Sequence, residues 1–311
     1  MTWSARDIPD LTGTRAVITG VTGGLGLQTA IGLGRAGADL VVTARDERKA
    51  ETALARIADK APGAVTHVVS LDLADLADVR RAAGEVVTTY ERVDILVNNA
   101  GIMVPPRYST TADGFELQIG TNHIGHFAWT AALWPLLRDS GARVVSVASL
   151  AHTTVGSVDL TSLTPEGSGQ HYRRWQSYGQ SKLANLLFAL ELDRRTKAAG
   201  VGVVSVGAHP GYAATNITKT GPASSGLSLA GMGMHQVSRI IAQSAAAGAM
   251  PLLMAATDPS LRGGEYIGPS GIRGLRGRPK IVTPSRAARD AELARDLWAA
   301  SESAIGAAFE V

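Results

Sequence analysis

Tyr178 and Lys182 form a Tyr-x3-Lys pair inside a run of helical periodicity, so their side chains leave one helix face a turn apart. A phenol with an ordinary pKa near 10 is a poor base at neutral pH, and a neighbouring ammonium favours the phenolate. Lowering that pKa to about 7 takes roughly 4 kcal/mol of differential stabilisation. Such a pair alone is more often a solvated helix face, and its company decides otherwise. An apolar run at 143–148 ends in Ser149, and another ends in Asn98-Asn99-Ala100-Gly101. A third enters Thr19-Gly20-Val21-Thr22-Gly23-Gly24-Leu25-Gly26 and then opens a helix. Glycines at 20, 24 and 26 permit a tight turn and let backbone amides reach a phosphate at the positive end of that helix. The spacing Gly-x3-Gly-x-Gly differs from the common dinucleotide fingerprint. By itself it also fits a tight turn with no ligand.

Short Val/Ile/Leu-rich runs at 15–19, 39–44, 66–71, 94–98, 143–148 and 202–206 must position these groups. Helical patterns alternate with them at 25–36, 46–59, 76–90, 113–138 and 178–199. Continuous apolar runs suit strands buried on both faces, and the alternation predicts an α/β fold: a single doubly wound Rossmann-type domain. Its parallel sheet would have about seven strands, with helices on both faces. A last strand is expected near 265–267, followed by an Arg/Gly-rich surface loop and a helix near 287–303. Small and polar residues gather at the carboxyl ends of the runs, where open α/β sheets bind ligands.

A chain of 311 residues, 45% hydrophobic, can bury a large core as one domain. No linker or internal repeat divides it, so 1–311 reads as one unit with a lead-in at 1–13 and a C-terminal extension at 271–311. The net charge of +3 comes from 30 basic residues scattered among 27 acidic ones, with no stripe that reads as a nucleic-acid footprint. The absence of cysteine removes disulfides and thiolate chemistry and fits a reducing cytoplasm. The first residues lack a signal-peptide pattern, and the apolar stretch at 245–256, interrupted by Pro251, is too short to span a bilayer and reads as a buried helix.

Taken together, Thr19-Gly20-x3-Gly24-x-Gly26, Asp72, Asn98-Asn99-Ala100-Gly101, Asn122, Ser149, Tyr178-x3-Lys182 and His209-Pro210-Gly211 with Thr215 resemble the short-chain dehydrogenase/reductase family, in family order over about residues 13–270. The stretches at 122–127 and 178–185 are similar to its retinol-dehydrogenase-like and WW-domain-oxidoreductase-like branch, and 273–298 to soluble bacterial relatives of that branch. The resemblance implies an oxidoreductase acting on CH-OH or C=O groups. Ser149 would hydrogen-bond the reacting oxygen and Tyr178 would exchange its proton. Lys182 would lower the Tyr178 pKa and hold the nicotinamide ribose, while Asn122 would position a water that passes the proton onward. The cofactor would lie along Gly20, Thr22, Gly23, Gly24, Leu25 and Gly26, with Asp72 and Leu73 at the adenine. Asn99, Ala100 and Gly101 would follow the adenine ribose, and Pro210, Gly211 and Thr215 would hold the nicotinamide end.

NADP(H) is the expected cofactor. An NAD site wants a carboxylate about 20 residues past the glycine loop. Ala44 stands there, and Arg45 beside it suits a 2'-phosphate. Asp46 fits an N-cap instead. Relatives with arginine at this position favour NADP. No metal is expected: His123 and His126 lie three apart on a helix without a third ligand, and core packing is the plainer reading. His152 is expected to be solvated, and His209 to order the turn into Pro210.

Ser149 precedes Tyr178 by more residues than in compact relatives, so 151–176 reads as an insertion over the active-site mouth. It speaks against carrying over the substrates of compact relatives and the four-helix tetramer contact that many of them use, so a homo-oligomer is not fixed by the resemblance. Residues 221–234 read as a mobile lid whose Leu227, Leu229, Met232 and Met234 favour a hydrophobic small-molecule substrate. Two rival readings are a dinucleotide-sensing regulator on the same fold, and a double-bond reductase of the protochlorophyllide type. The first needs no proton-transfer residues, and the missing cysteine and pigment insertion weigh against the second.

Overall fold

In the computed structural model, which describes residues 3–167, 169, 172–212 and 243–311, eight strands form one sheet. They are β1 (Arg15–Thr19), β2 (Asp39–Ala44), β3 (Thr66–Ser70), β4 (Ile95–Asn98), β5 (Arg143–Val147), β6 (Val204–Ala208), β7 (Tyr266–Pro269) and β8 (Pro279–Ile281), in the order β3-β2-β1-β4-β5-β6-β7-β8. The first seven are parallel, each pair in plain register, such as Arg15↔Asp39 to Thr19↔Thr43. The order reverses between β1 and β4, the switch point at which such sheets open a crevice. Strands 1, 2, 4 and 5 are buried almost throughout because both faces are covered, whereas the edge strand β3 buries Val69 and exposes His67, Val68 and Ser70.

Nine helices alternate with the strands among the described residues: α1 (Gly24–Arg35), α2 (Glu47–Lys60), α3 (Leu76–Thr89), α4 (Leu117–Ile119), α5 (Gly125–Ala132), α6 (Trp134–Ser140), α7 (Arg174–Ala199), α8 (Ala245–Thr257) and α9 (Ala291–Ile305). Successive strand residues point to opposite faces. Val17 and Leu96 therefore enter one core, with Phe127, Leu187 and Trp298, while Ile18 and Val97 enter the other, with Leu33, Leu252 and Ile267. Trp298 of α9 packs on Phe127 (5.1 Å between ring centroids) and on Phe309 (4.8 Å), which clamps the C-terminal helix to α5. Each such fully buried large side chain contributes about 1.5–3 kcal/mol by transfer alone.

Three expectations need correction. The sheet has an eighth strand: β8 pairs antiparallel with β7, Ile267↔Ile281 to Pro269↔Pro279, where a surface loop was expected. Its three residues carry no periodicity, and an edge position tolerates Pro279, whose ring has no N–H to donate. The continuous helix at 113–138 is broken into α4, a π-helical turn at Gly120–Ile124, α5 and α6. Pro135 lacks an amide hydrogen, so α6 starts afresh around it. β6 begins two residues later than the apolar run implied, because its register is set by β5, Arg143↔Val204. Thr215 and the expected lid at 221–234 lie outside the described residues.

Candidate active site

β1, β4, β5 and β6 deliver their carboxyl ends to one cavity of about 400 Å3. Its wall holds Gly20, Thr22, Gly23, Gly24, Leu25, Gly26, Arg45, Asp72, Leu73, Asn99, Ala100, Gly101, Ser149, Tyr178, Lys182, Pro210 and Gly211. Every expected site residue that is described, except Asn122, is thus brought together. The wall also includes Ile102, Met103, Thr121 and Tyr212, which sequence reasoning missed. Only their adjacency to Gly101, Asn122 and Gly211 signalled them.

At the glycine end, Gly20 adopts φ +73 and a Cβ there would come within 2.8 Å of Ala100 Cβ. A Cβ on Gly26 would come within 2.5 Å of Asn99 Nδ2. Glycine is therefore required by contact as well as by conformation. Asp46, Asp75, Ser244 and Asp290 cap α2, α3, α8 and α9 through their side chains, but Gly23 gives α1 no side-chain cap and its first turn has no acid. The amides that open α1 are left for an anion, so the residues present fit a dinucleotide pyrophosphate. Asp46 bonds Lys49 N at 3.1 Å, the capping role expected of it. Arg45 is free to turn: its side chain is 74% exposed and, among the described residues, its one ion pair is with Asp72, at 3.4 Å.

Thr19 holds the two halves of this end together. Its hydroxyl accepts from the amides of Asn99 and Ala100, both at 2.9 Å, and lies 2.8 Å from His126 Nε2. His126 Nδ1 lies 2.9 Å from the Asn122 carbonyl, which can only accept. The imidazole is therefore the neutral Nδ1–H tautomer, and the Thr19 hydroxyl donates to Nε2. Burial pushes the His126 pKa down to about 4, and the charge on Lys182 adds to the effect. His123, also buried, bonds Ser301 Oγ at 2.8 Å and is pushed down to about 3. Both histidines serve packing and hydrogen bonding within the core.

At the other end, Ser149 follows β5 and its hydroxyl accepts from Ala151 N at 3.2 Å. Tyr178 is 8% exposed; burial drives its phenol pKa up, and a hydrogen bond with Ser149 draws it down. Lys182 Nζ lies 5.9 Å from the Tyr178 ring centroid and donates to the Val147 carbonyl at 3.1 Å. Val147 O also accepts from Asn185 Nδ2, so one carbonyl fixes both side chains. Burial lowers the Lys182 pKa to about 8. Asn122 sits in the π turn outside the cavity wall, behind Gly101. Its amide donates to Ile102 O and Ser181 Oγ at 3.0 and 2.9 Å, and its Oδ1 accepts from Ile102 N at 2.8 Å.

Residues 14–225 match the family described as short chain dehydrogenase. The chain belongs to that family. This short-chain dehydrogenase is 36% identical over 298 residues to retinol dehydrogenase 13 of Homo sapiens, with 94% of this chain and 85% of that one covered. It is 38% identical over 302 residues to polyprenol dehydrogenase of Mus musculus, covering 94% and 84%. Among solved structures it is similar to an uncharacterised protein of Mycobacterium Paratuberculosis at TM-score 0.80 and 39% identity, over all of both chains. It is also similar, at TM-score 0.62 and 25% identity over 83% of this chain and 95% of the other, to a Beutenbergia cavernae protein assigned as an NAD(P)-dependent gluconate 5-dehydrogenase, with NADP bound at low occupancy. The family makes the protein an oxidoreductase that uses a nicotinamide cofactor on a small-molecule substrate.

Two histidines near Ser149 and Pro210 behave differently from one another. His209 accepts from Gly211 N at 3.2 Å and so orders the turn into Pro210, as expected. His152 is buried rather than solvated: it bonds Ser149 O at 2.6 Å and accepts from Ser285 N at 3.3 Å. The segment before the C-terminal helix covers it, a partner more than a hundred residues away that no local pattern reveals. No described helix is long and apolar enough to cross a membrane.

Proposed function

We propose that this dehydrogenase is NADP(H)-dependent and transfers a hydride between the nicotinamide and a carbonyl or secondary alcohol of a hydrophobic small molecule, with Tyr178 as general acid/base. The observation that carries this reading is the convergence of Ser149, Tyr178 and Lys182 on the cavity that the uncapped end of α1 also opens into. The amides of Thr22 to Gly26 and the end of Gly20 would hold the pyrophosphate. Asp72 and Leu73 would flank the adenine, and Asn99, Ala100 and Gly101 its ribose. Pro210, Gly211 and Thr215 would hold the nicotinamide end, where the cofactor supplies or accepts the hydride.

The remaining chemistry falls to this chain's own groups. In reduction Tyr178 gives its phenolic proton to the substrate oxygen, and the Ser149 hydroxyl hydrogen-bonds that oxygen. Because burial raises the Tyr178 pKa, the phenol is held protonated until a charge develops beside it. Lys182, buried and fixed by Val147 O with its Nζ 5.9 Å from the Tyr178 ring centroid, would stabilise the phenolate. Asn122 has one lone pair left on Oδ1, the acceptor that a relay water from Lys182 would use.

Arg45 supports NADP(H). An exposed pair such as Arg45 with Asp72 is worth at most about 1 kcal/mol, so the guanidinium turns to a 2'-phosphate at little cost. Ile102, Met103 and Tyr212 give the substrate side an apolar lining, and the names of the retinol and polyprenol dehydrogenases point the same way. The balanced charge and lack of cysteine favour a cytoplasmic enzyme without a nucleic-acid partner.

The test follows NADPH oxidation, by its absorbance, against a panel of apolar ketones and aldehydes. Wild-type protein should turn over members of the panel, and Tyr178→Phe should abolish turnover while binding NADPH nearly as well. Wild-type turnover by the Tyr178→Phe variant would refute the mechanism.

A further inference from the structure

A second cavity, of about 1120 Å3, adjoins the reacting end and is walled by Leu150, Val155, Trp175, Arg273 and Leu275. Several contacts tie it to the active site. Leu150 and Ala151 in its wall directly follow Ser149. Trp175 stands three residues before Tyr178 on α7, hence on the same helix face. The turn that carries Arg273 is pressed onto the site: a Cβ on Gly274 would lie 3.5 Å from Leu150 Cδ2, and one on Gly211 would lie 2.5 Å from Leu275 O. Tyr212, in the wall of the first cavity, donates its amide to the same Leu275 carbonyl at 2.7 Å.

Two features of this wall are unlike ordinary surface. Trp175 leaves 52% of its area in water, a large flat apolar face beside the mouth. Arg273 adopts φ 53, ψ 22, a left-handed conformation costly for any residue but glycine, asparagine or aspartate. It makes no ion pair with another described residue. The carboxylate in the wall, Asp159, is turned to its own helix, where Oδ1 accepts from Thr161 N at 3.1 Å and Thr161 Oγ1 at 2.7 Å. Among the described residues the cavity therefore presents an apolar face and one cation, Arg273, which makes no ion pair and stands on a left-handed turn.

We propose that this second cavity is the distal substrate subsite, taking the end of an apolar carbonyl or alcohol substrate that bears an anionic group, a carboxylate in the first instance. Trp175 stacks on the apolar or aromatic body, and the Arg273 guanidinium pairs with the carboxylate through charge-assisted hydrogen bonds. This rests on the dehydrogenase reading above, in which Ser149 and Tyr178 mark the reacting carbon.

The probes are gamma-benzoylbutyrate, an aryl ketone with a terminal carboxylate, and its uncharged primary amide. Each is measured with NADPH against wild type, Arg273→Ala, Arg273→Gly, Arg273→Lys and Trp175→Ala. Wild type should prefer the acid in kcat/KM. Arg273→Ala and Arg273→Gly should each cut the acid-to-amide ratio at least tenfold, through KM, and Arg273→Lys should keep part of it. The glycine variant relieves the left-handed backbone, so its thermal midpoint should not fall, which separates lost recognition from lost folding. Trp175→Ala should weaken both probes alike. A ratio that stays unchanged in Arg273→Ala and Arg273→Gly would overturn the subsite.

Calorimetric titration of the NADPH-bound protein with the non-reducible gamma-phenylbutyrate and its amide supplies an arm independent of turnover. Arginine-dependent preference for the acid there, with neither ketone reduced, would sink the dehydrogenase reading and leave the anion subsite standing. No preference for the acid in that titration would overturn the subsite.

Discussion

Replacing Thr19 by valine tests the polar joint on which the cofactor end is built. Valine keeps the shape of threonine and removes the one oxygen that accepts from Asn99 N and Ala100 N and meets His126 Nε2. Thr19 is fully buried, so water cannot replace the hydroxyl. Each donor left unpaired costs about 1–3 kcal/mol, toward the lower end here because Asn99 and Ala100 are only half-buried. Two stranded amides and an unpaired imidazole nitrogen add up to about 3 kcal/mol, a large share of the roughly 5–15 kcal/mol that holds a domain together. Urea unfolding of wild type, Thr19→Val and Thr19→Ser should show a marked fall in midpoint for valine and a small one for serine, which retains the oxygen. The Asn99–Gly101 turn lines the cavity proposed to hold the cofactor, so NADPH should also bind more weakly to Thr19→Val than to Thr19→Ser. A valine variant within about 0.5 kcal/mol of wild type would refute the assigned hydrogen-bond directions.

Lys182→Met should abolish turnover and yet stabilise the fold. Burial has lowered the folded pKa from 10.5 to about 8, so below pH 8 the charged amine costs roughly 3 kcal/mol, and the advantage of methionine should shrink as pH rises from 8 toward 10.5. A methionine variant less stable than wild type at neutral pH would contradict this. Acid should unfold the chain through its buried imidazoles: His123, His126 and His209 fall to about 3, 4 and 4 from an ordinary 6.5. The unfolded chain then binds more protons between those values, so stability is complete above pH 6.5 and is lost on the way down to about 4. A near-ultraviolet circular dichroism signal still native at pH 4 would argue against it. For the cofactor, Arg45→Ala should weaken NADPH by roughly ten- to a hundredfold with little effect on NADH, and Ala44→Asp should turn preference toward NADH. Wild type that already favours NADH in kcat/KM would remove the assignment.

What the sequence disclosed depended on how local the signal was. β1 and β2 were readable to the residue because a parallel strand covered on both faces is a bare apolar run, and the Asp46 cap because its partner lies three residues away. The cavity wall was readable because glycine and small polar residues collect where those runs end. Core packing was the expected role of His123 and His126, but the partners of the buried histidines lie far along the chain. His126 finds its Nε2 partner in Thr19, His123 its partner in Ser301, and His152 its burial beneath Ser285, at separations of 107, 178 and 133 residues. None of these pairings leaves a periodicity to read. β8 escaped for a related reason, since three residues gain strand character only from the edge they pair with. Asn122 shows the same limit at a chemical residue. Its place in the motif was plain, but the π turn that carries it sets its amide on Ile102 and Ser181 and leaves a single lone pair for any relay. Sequence spacing thus named the groups proposed to react, and hydrogen bonds to other segments decide which atoms of those groups remain available.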